Sequence, residues 1–276
     1  MKTQTVVSPN WLNENLNNAN LVVLDTSPKS NVSGLDTEFS EIQIKKARYF
    51  DLDNKFSDPK TTLPHMLPTP TDFEKEARKL GINNTSEIVV YDNLGIYSSP
   101  RVWWMFKVMG HINVKVLDGG LPAWVKLGFE TEPIQTGNYT EGNFISQYHS
   151  KDVKDFDFVK MNLESQKSII IDARSNGRFN GTAPEPREWV KSGHIPNSIN
   201  IPFESLLENG KFKSKDELKT IFQQHDLKNR ELVFSCGSGL TACINLLAAE
   251  IIMDNPKSVY DGSWTEWAQR KNAPIV

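Results

Sequence analysis

Leu232-Val233-Phe234-Ser235-Cys236-Gly237-Ser238-Gly239-Leu240-Thr241-Ala242 is the stretch that decides the fold. Its apolar start suits a buried strand, and two glycines flank the residue after next to the cysteine. Ala242-Cys243-Ile244-Asn245-Leu246-Leu247-Ala248-Ala249-Glu250 then suits a helix. A strand that turns through glycines into a helix aims consecutive backbone N–H groups at whatever occupies the turn. The helix N-terminus and those N–H groups both favour a thiolate at that point. A buried cysteine at a strand end is the plain alternative. The glycine spacing and the helix start favour Cys236 as a nucleophile.

Outward from this loop, the chain repeats itself at an offset of roughly 143 to 151 residues. Leu21-Val22-Val23-Leu24-Asp25 answers Ile169-Ile170-Ile171-Asp172, each an apolar strand ending in Asp. Ile88-Val89-Val90-Tyr91-Asp92-Asn93-Leu94-Gly95 answers Leu232 to Gly239, and Val116-Leu117-Asp118-Gly119-Gly120 answers Val259-Tyr260-Asp261-Gly262-Ser263. Matched blocks in one order, spaced a whole domain apart, imply a duplicated domain rather than a solenoid. Helix-like stretches at Asp72–Leu80 and Lys215–Phe222 lie between the short strands. The expected class is therefore α/β, with two tandem doubly wound, mainly parallel sheets flanked by helices. The expected domains are 1–134 and 143–276, with the polar stretch 133–142 as linker. In such sheets ligands bind beyond the carboxyl ends of the strands, where Cys236 falls. Asp92 takes the cysteine's place in the first half, so only the second half carries a thiol. Asp92 itself reads as a helix cap or turn residue.

Composition sets bounds. A length of 276 residues is comfortable for two domains, and a net charge of −3 gives no sign of nucleic-acid or acidic-membrane partners. No run of 18 apolar residues predicts a membrane span, and the first nine residues lack the apolar core of a signal peptide. Two cysteines cannot staple a fold of this size, which fits a reducing cytoplasm. The five histidines show no metal-ligand spacing, and no Gly-rich nucleotide fingerprint follows a strand, so no cofactor is expected.

The chain resembles the tandem-domain rhodaneses, the sulfurtransferase family, over nearly its whole length. Ser192-Gly193-His194-Ile195-Pro196-Asn197-Ser198 and Asp261-Gly262-Ser263-Trp264-Thr265-Glu266-Trp267 look like that family's signatures. The loop from Cys236 is closer to 3-mercaptopyruvate sulfurtransferases than to thiosulfate rhodaneses, which carry basic residues where Gly237 and Ser238 stand. A dianionic thiosulfate benefits from such cations, whereas a carboxylate can be held by arginines at a distance. The segment Asn176–Glu188 resembles the mercaptopyruvate enzymes' substrate loop, which implies Arg178 and Arg187 as carboxylate and carbonyl ligands. Solvated surface arginines are the alternative. The resemblance further implies a proton relay of Asp53, His65 and Ser238, with Asp51 as fallback for Asp53 because the Asp53–His65 spacing is one residue long for the family. Gly237, Gly239, Leu240, Thr241 and Ala242 are expected to line the substrate with their backbone. His194, replaced by Gln43 in the first half, reads as structural, and Cys243 as buried.

The expected reaction is attack of Cys236 on the sulfur of 3-mercaptopyruvate, release of pyruvate, and a Cys236 persulfide that passes sulfur to a thiol, thioredoxin or cyanide. The rivals are a thiosulfate sulfurtransferase using the same cysteine and a non-catalytic persulfide carrier. A Cys-dependent phosphatase needs an arginine six residues after the cysteine, where this chain has Ala242.

Overall fold

The computed structural model describes residues 4–29, 34–227 and 229–276. Residues 1–3, which begin the N-terminal stretch read above for a leader and the block 1–134, lie outside the described residues. The chain forms two compact units. The first takes the chain through Lys60, then Leu67–His149 and Asn209–Phe212. The second takes Thr61–Met66, Ser150–Glu208 and Lys213–Val276.

In the first unit the strands are β1 (Val6–Val7), β2 (Leu21–Asp25), β3 (Ile42–Ile44), β4 (Arg48–Tyr49), β5 (Glu87–Tyr91), β6 (Val114–Leu117) and β7 (Thr131–Pro133). The helices are α1 (Pro9–Asn15), α2 (Pro70–Lys79), α3 (Ser99–Val108) and α4 (Gly120–Lys126). In the second unit the strands are β8 (Val153–Lys154), β9 (Ser168–Asp172), β10 (Ile199–Asn200) and β11 (Leu207–Glu208), with β12 (Lys211–Phe212) belonging to the first; β13 (Glu231–Ser235) and β14 (Lys257–Tyr260) follow. Its helices are α5 (Phe156–Ser165), α6 (Asn176–Phe179), α7 (Lys215–Gln223), α8 (Ala242–Ile252) and α9 (Ser263–Trp267).

Among the described residues the first unit carries a parallel sheet in the order β1-β6-β5-β2-β4. The second carries β8-β14-β13-β9-β10, also parallel throughout. These are the same order on matching blocks, as the internal repeat requires. Central strands with helices on both faces must be apolar on both sides, and Ile169-Ile170-Ile171 and Leu232-Val233-Phe234 are all buried. Val23, Val89, Leu121 and Trp124 pack one face of the first sheet. Phe50, Phe56, Phe73 and Phe106 stack together elsewhere in that unit, with ring centroids 3.6 to 6.4 Å apart. In the second unit Val159, Ile170, Val233, Trp264 and Trp267 form the corresponding cluster.

Local chemistry sets the helix ends. Ser214 and Glu217 form a capping box at the start of α7, and Thr69 caps α2 with Pro70 in its first turn. The stretch expected as a linker is instead the beginning of a segment that follows the first unit as far as His149. Phe144 is buried against Phe73, Phe106 and His111, and the N–H groups of Gly142, Phe144, Gln147 and His149 donate to Arg78, Ile82, Met109 and Val108. One apolar anchor and a ladder of backbone bonds hold a segment whose composition reads as linker. Where the second unit has Gly193-His194, the first has Gln43. Both turns nevertheless carry a left-handed residue at the matching place, Lys46 (φ 65°) and Asn197 (φ 64°). No helix among the described residues is long and apolar enough to cross a membrane.

Candidate active site

Cys236 directly follows β13, whose neighbours β9 and β14 place it at the carboxyl edge of the second sheet, just before α8. The residue is 1% exposed. Gly239, at φ 76°, makes the turn, as Gly95 at φ 103° does in the first unit. The β14–α9 turn fixes the loop's peptide planes. Trp264 N–H donates to the Cys236 carbonyl (2.9 Å), and Thr265 donates to the Gly237 carbonyl through its N–H (3.0 Å) and hydroxyl (2.6 Å). In a planar trans peptide the next N–H points opposite to the carbonyl. Pulling these two carbonyls towards α9 therefore turns the N–H groups of Gly237 and Ser238 the other way. Ser263, itself at φ 50°, accepts the Cys236 N–H (3.3 Å) and donates to the Tyr260 carbonyl (2.8 Å).

The first unit shows what such a loop binds. Asp92 occupies the cysteine's place, is fully buried, and its carboxylate accepts from the N–H groups of Leu94, Tyr97, Ser98 and Ser99 at 2.9–3.1 Å and from the Ser99 hydroxyl at 2.6 Å. Asp92 is thus not the N-cap residue of α3, which is Ser98, but its carboxylate accepts from the N–H groups at the helix start, and the loop is a nest for a negative charge. The matching backbone positions in the second unit are Ser238, Thr241, Ala242 and Cys243. Leu121 N–H donates to the Asp92 carbonyl (2.9 Å), the counterpart of Trp264 on Cys236.

Ser238 is buried, and its hydroxyl lies 3.0 Å from Nδ1 of His65, a residue of the Thr61–Met66 stretch that belongs to the second unit. His65 holds a left-handed backbone, φ 61°, which histidine tolerates better than most residues. Asp53 is an exposed residue of the first unit in the turn after β4, and Asp51 there accepts the N–H and side-chain amide of Asn54.

Arg178 sits in α6, and its Nη2 would lie 3.0 Å from a Cβ built on Gly237. The absent side chain at 237 is the space beside which this guanidinium rests. Glu185 grips Arg178 at Nε (3.1 Å) and Nη2 (2.6 Å), and takes Nη1 of Arg174 at 2.8 Å. Arg174, fully buried, also forks onto Asp172 and donates to the Gly193 carbonyl while lying over the Trp264 ring. Burial works against the Arg174 charge, but Asp172 and then Glu185 outweigh it and hold the guanidinium pKa above its ordinary value. Arg187 is half-buried in the same loop, with its carbonyl accepting from Val190 N–H at 2.9 Å. Leu240 and Ala242 are buried, and Thr241 precedes the first turn of α8. His194 stacks on Phe179 at 3.8 Å and bonds the Phe179 carbonyl through Nδ1, and Cys243 donates its thiol to the Gly239 carbonyl at 3.3 Å.

The structure thus brings together Cys236, Ser238 and His65, and places Arg178 beside the same loop. Ser263, Thr265, Arg174 and Glu185 were not singled out from the sequence. The first two lie inside a motif whose form was plain but whose hold on the cysteine loop was not. Glu185 stands between the two chosen arginines. Two surface cavities of the second unit, of about 330 and 780 Å³, share Gln224–Leu227, and the smaller also takes in Ser168 and Ile169 at the amino end of β9, opposite the cysteine edge. Among the described residues no three His, Cys, Asp or Glu side chains gather as a metal site.

A cysteine loop and its carboxylate-filled duplicate, on two sheets of one topology, define a double-domain protein of a single kind. The chain belongs to the rhodanese family, whose rhodanese-like domain matches residues 8–127 and again 155–270. It is 40% identical to the thiosulfate/3-mercaptopyruvate sulfurtransferase 1 of Arabidopsis thaliana, covering 99% of this chain and 78% of that protein. It is 39% identical to the mouse 3-mercaptopyruvate sulfurtransferase, covering 97% and 93%. The crystal structure of SseA from Escherichia coli, a 3-mercaptopyruvate sulfotransferase, superposes with a TM-score of 0.83 at 32% identity, covering 95% of this chain and 99% of that one.

Proposed function

We propose that this chain is a sulfurtransferase that takes sulfur from 3-mercaptopyruvate, carries it as a Cys236 persulfide and releases pyruvate. The observation that carries this reading is the cysteine loop itself: a nucleophile in an anion nest, with a side-chain-free Gly237 against which Arg178 rests. The Cys236 thiolate attacks the donor sulfur, the carbon–sulfur bond breaks, and its electron pair stays on carbon as the pyruvate enolate. A proton delivered through the Ser238 hydroxyl, with His65 behind it at 3.0 Å, completes pyruvate. The anionic persulfide is stabilised by the loop N–H groups, as the Asp92 carboxylate is in the first unit. An acceptor thiol, of a small molecule or a thioredoxin-type protein, or cyanide then attacks the outer sulfur and restores the Cys236 thiolate. Arg178 and Arg187 hold the donor's carboxylate and carbonyl. Asp53 as a member of the relay rests on the family resemblance alone. The two cysteines, both buried and neither in a disulfide, suit a reducing compartment such as the cytoplasm.

Thiosulfate is a second donor, favoured by the Arabidopsis relative, whose name joins both substrates. The purified chain assayed with each donor, beside Cys236→Ser, tests the reading. Pyruvate release and a mass gain of about 32 Da on Cys236, both lost in the variant, are expected from the persulfide chemistry. Turnover that survives Cys236→Ser would sink it.

A further inference from the structure

We infer that Glu185 is a positioning residue that aims Arg178 and, by cancelling its charge, makes the site prefer a monoanionic sulfur donor over a dianionic one. The inference rests on the donor chemistry proposed above and says what sets donor choice within it. Three observations carry it. Glu185 holds the Nε–Nη2 edge of Arg178 with both carboxylate oxygens, which leaves the Nη1 side of the guanidinium for a ligand. The same carboxylate takes Arg174 Nη1, and Arg174 is itself fixed by Asp172, the Gly193 carbonyl and the Trp264 ring. The rotamer of Arg178 is therefore set by a fully buried anchor rather than by solvent. Finally, Arg178 Nη2 lies 3.0 Å from where a Cβ on residue 237 would stand, so the guanidinium keeps its place beside the cysteine loop because that residue is glycine.

The charge count follows from the same contacts. Asp172 and Glu185 balance Arg174 and Arg178 one for one, and three of the four are buried. Glu204 also feels the Arg178 charge; its residue surface is exposed, yet burial of its carboxyl raises its pKa, and as a further acid it can only reduce the positive field. Arg178 can offer directed N–H groups to a carboxylate while contributing little net positive field. A donor with one negative charge needs the hydrogen bonds, whereas a dianion such as thiosulfate needs the field as well.

The test compares kcat and KM for 3-mercaptopyruvate and for thiosulfate in the full chain, in Glu185→Gln and in Glu185→Asp. Glutamine keeps the shape but loses the charge and sets an amide donor against the guanidinium. Aspartate keeps the charge but reaches about 1.5 Å less, too short to hold both arginines. For Glu185→Gln, the KM for 3-mercaptopyruvate should rise about tenfold with kcat within about threefold, and the ratio of kcat/KM for 3-mercaptopyruvate over thiosulfate should fall at least about fivefold. For Glu185→Asp, KM should rise while that ratio stays within about twofold. An unchanged ratio in Glu185→Gln, or an equal fall in both variants, overturns the charge argument. An unchanged KM in Glu185→Asp overturns the positioning, and this variant decides if the glutamine protein does not fold. A wild-type chain that prefers thiosulfate would refute the donor assignment and this inference together. A wild-type preference for 3-mercaptopyruvate that both variants leave intact refutes this inference alone.

Discussion

Replacing Asp92 by Asn tests the claim that the repeated loop is a nest for negative charge, and the structure sets the size of the effect. One carboxylate oxygen accepts from three N–H groups and the Ser99 hydroxyl, and the other accepts from Leu94 N–H at 3.0 Å. The asparagine oxygen can serve the first set, but its NH2 then faces the Leu94 N–H, donor against donor. Leaving one buried donor unpaired costs about 1–3 kcal/mol. The remaining bonds lose their charge assistance, roughly half their strength, which adds on the order of 1–2 kcal/mol. One term runs the other way: the Asp92 charge helps to hold the buried Asp25 carboxyl up, and removing it relieves that repulsion. The balance is a loss of about 2–4 kcal/mol in the first unit. Hydrogen exchange of the amides in α3 during urea titration reads this opening directly, because α3 begins at the nest. A change below about 0.5 kcal/mol would refute the reasoning, since no account of four N–H donors converging on a buried carboxylate survives it.

Asp25→Asn should act in the opposite direction. Burial raises the Asp25 carboxyl above its ordinary value despite the bonds from Ser27. A carboxyl raised in the folded state contributes its full stability below its unfolded pKa and loses it as pH rises through the folded one. The variant should therefore melt above wild type at pH 7, with the gap closing below about pH 4; a lower melting temperature at pH 7 refutes the burial argument. Ser238→Ala removes the partner of His65 Nδ1 and should lower kcat for 3-mercaptopyruvate about 10- to 100-fold, with KM little changed. Stopped-flow pyruvate release within about threefold of wild type would exclude the hydroxyl from proton delivery.

The parts of the site that could be read from the chain are those carried by short, contiguous patterns. The Cys236 loop declares itself because strand, glycines and helix start follow one another, and the internal repeat declares both sheets and Asp92 as a turn residue before α3, whose N-cap is Ser98. Contacts between distant stretches are different. Ser238 and His65 are 173 residues apart, and only family resemblance joined them before the structure did. Ser263 and Thr265 shape the loop by holding its carbonyls from another turn, a role with no signature in their own identities. Glu185 carries no such signal, because a carboxylate in an anion site looks misplaced until its two guanidinium partners are seen. The segment up to His149 misled for a related reason: one buried Phe144 outweighs a run of polar neighbours.

The Asp92 carboxylate has a consequence for ligand stoichiometry. It hangs from the very loop that binds it, so its effective concentration is fixed by its own side-chain bonds and lies far beyond any free solute. Sulfite, phosphate or a thiosulfate analogue competes for the first loop against a tethered rival it cannot dilute. In the second loop the matching side chain is Cys236, which brings no carboxylate of its own to the loop. Of the two copies of this loop, one is filled by its own carboxylate, so an anion that binds the Cys236 loop should titrate at one equivalent per chain.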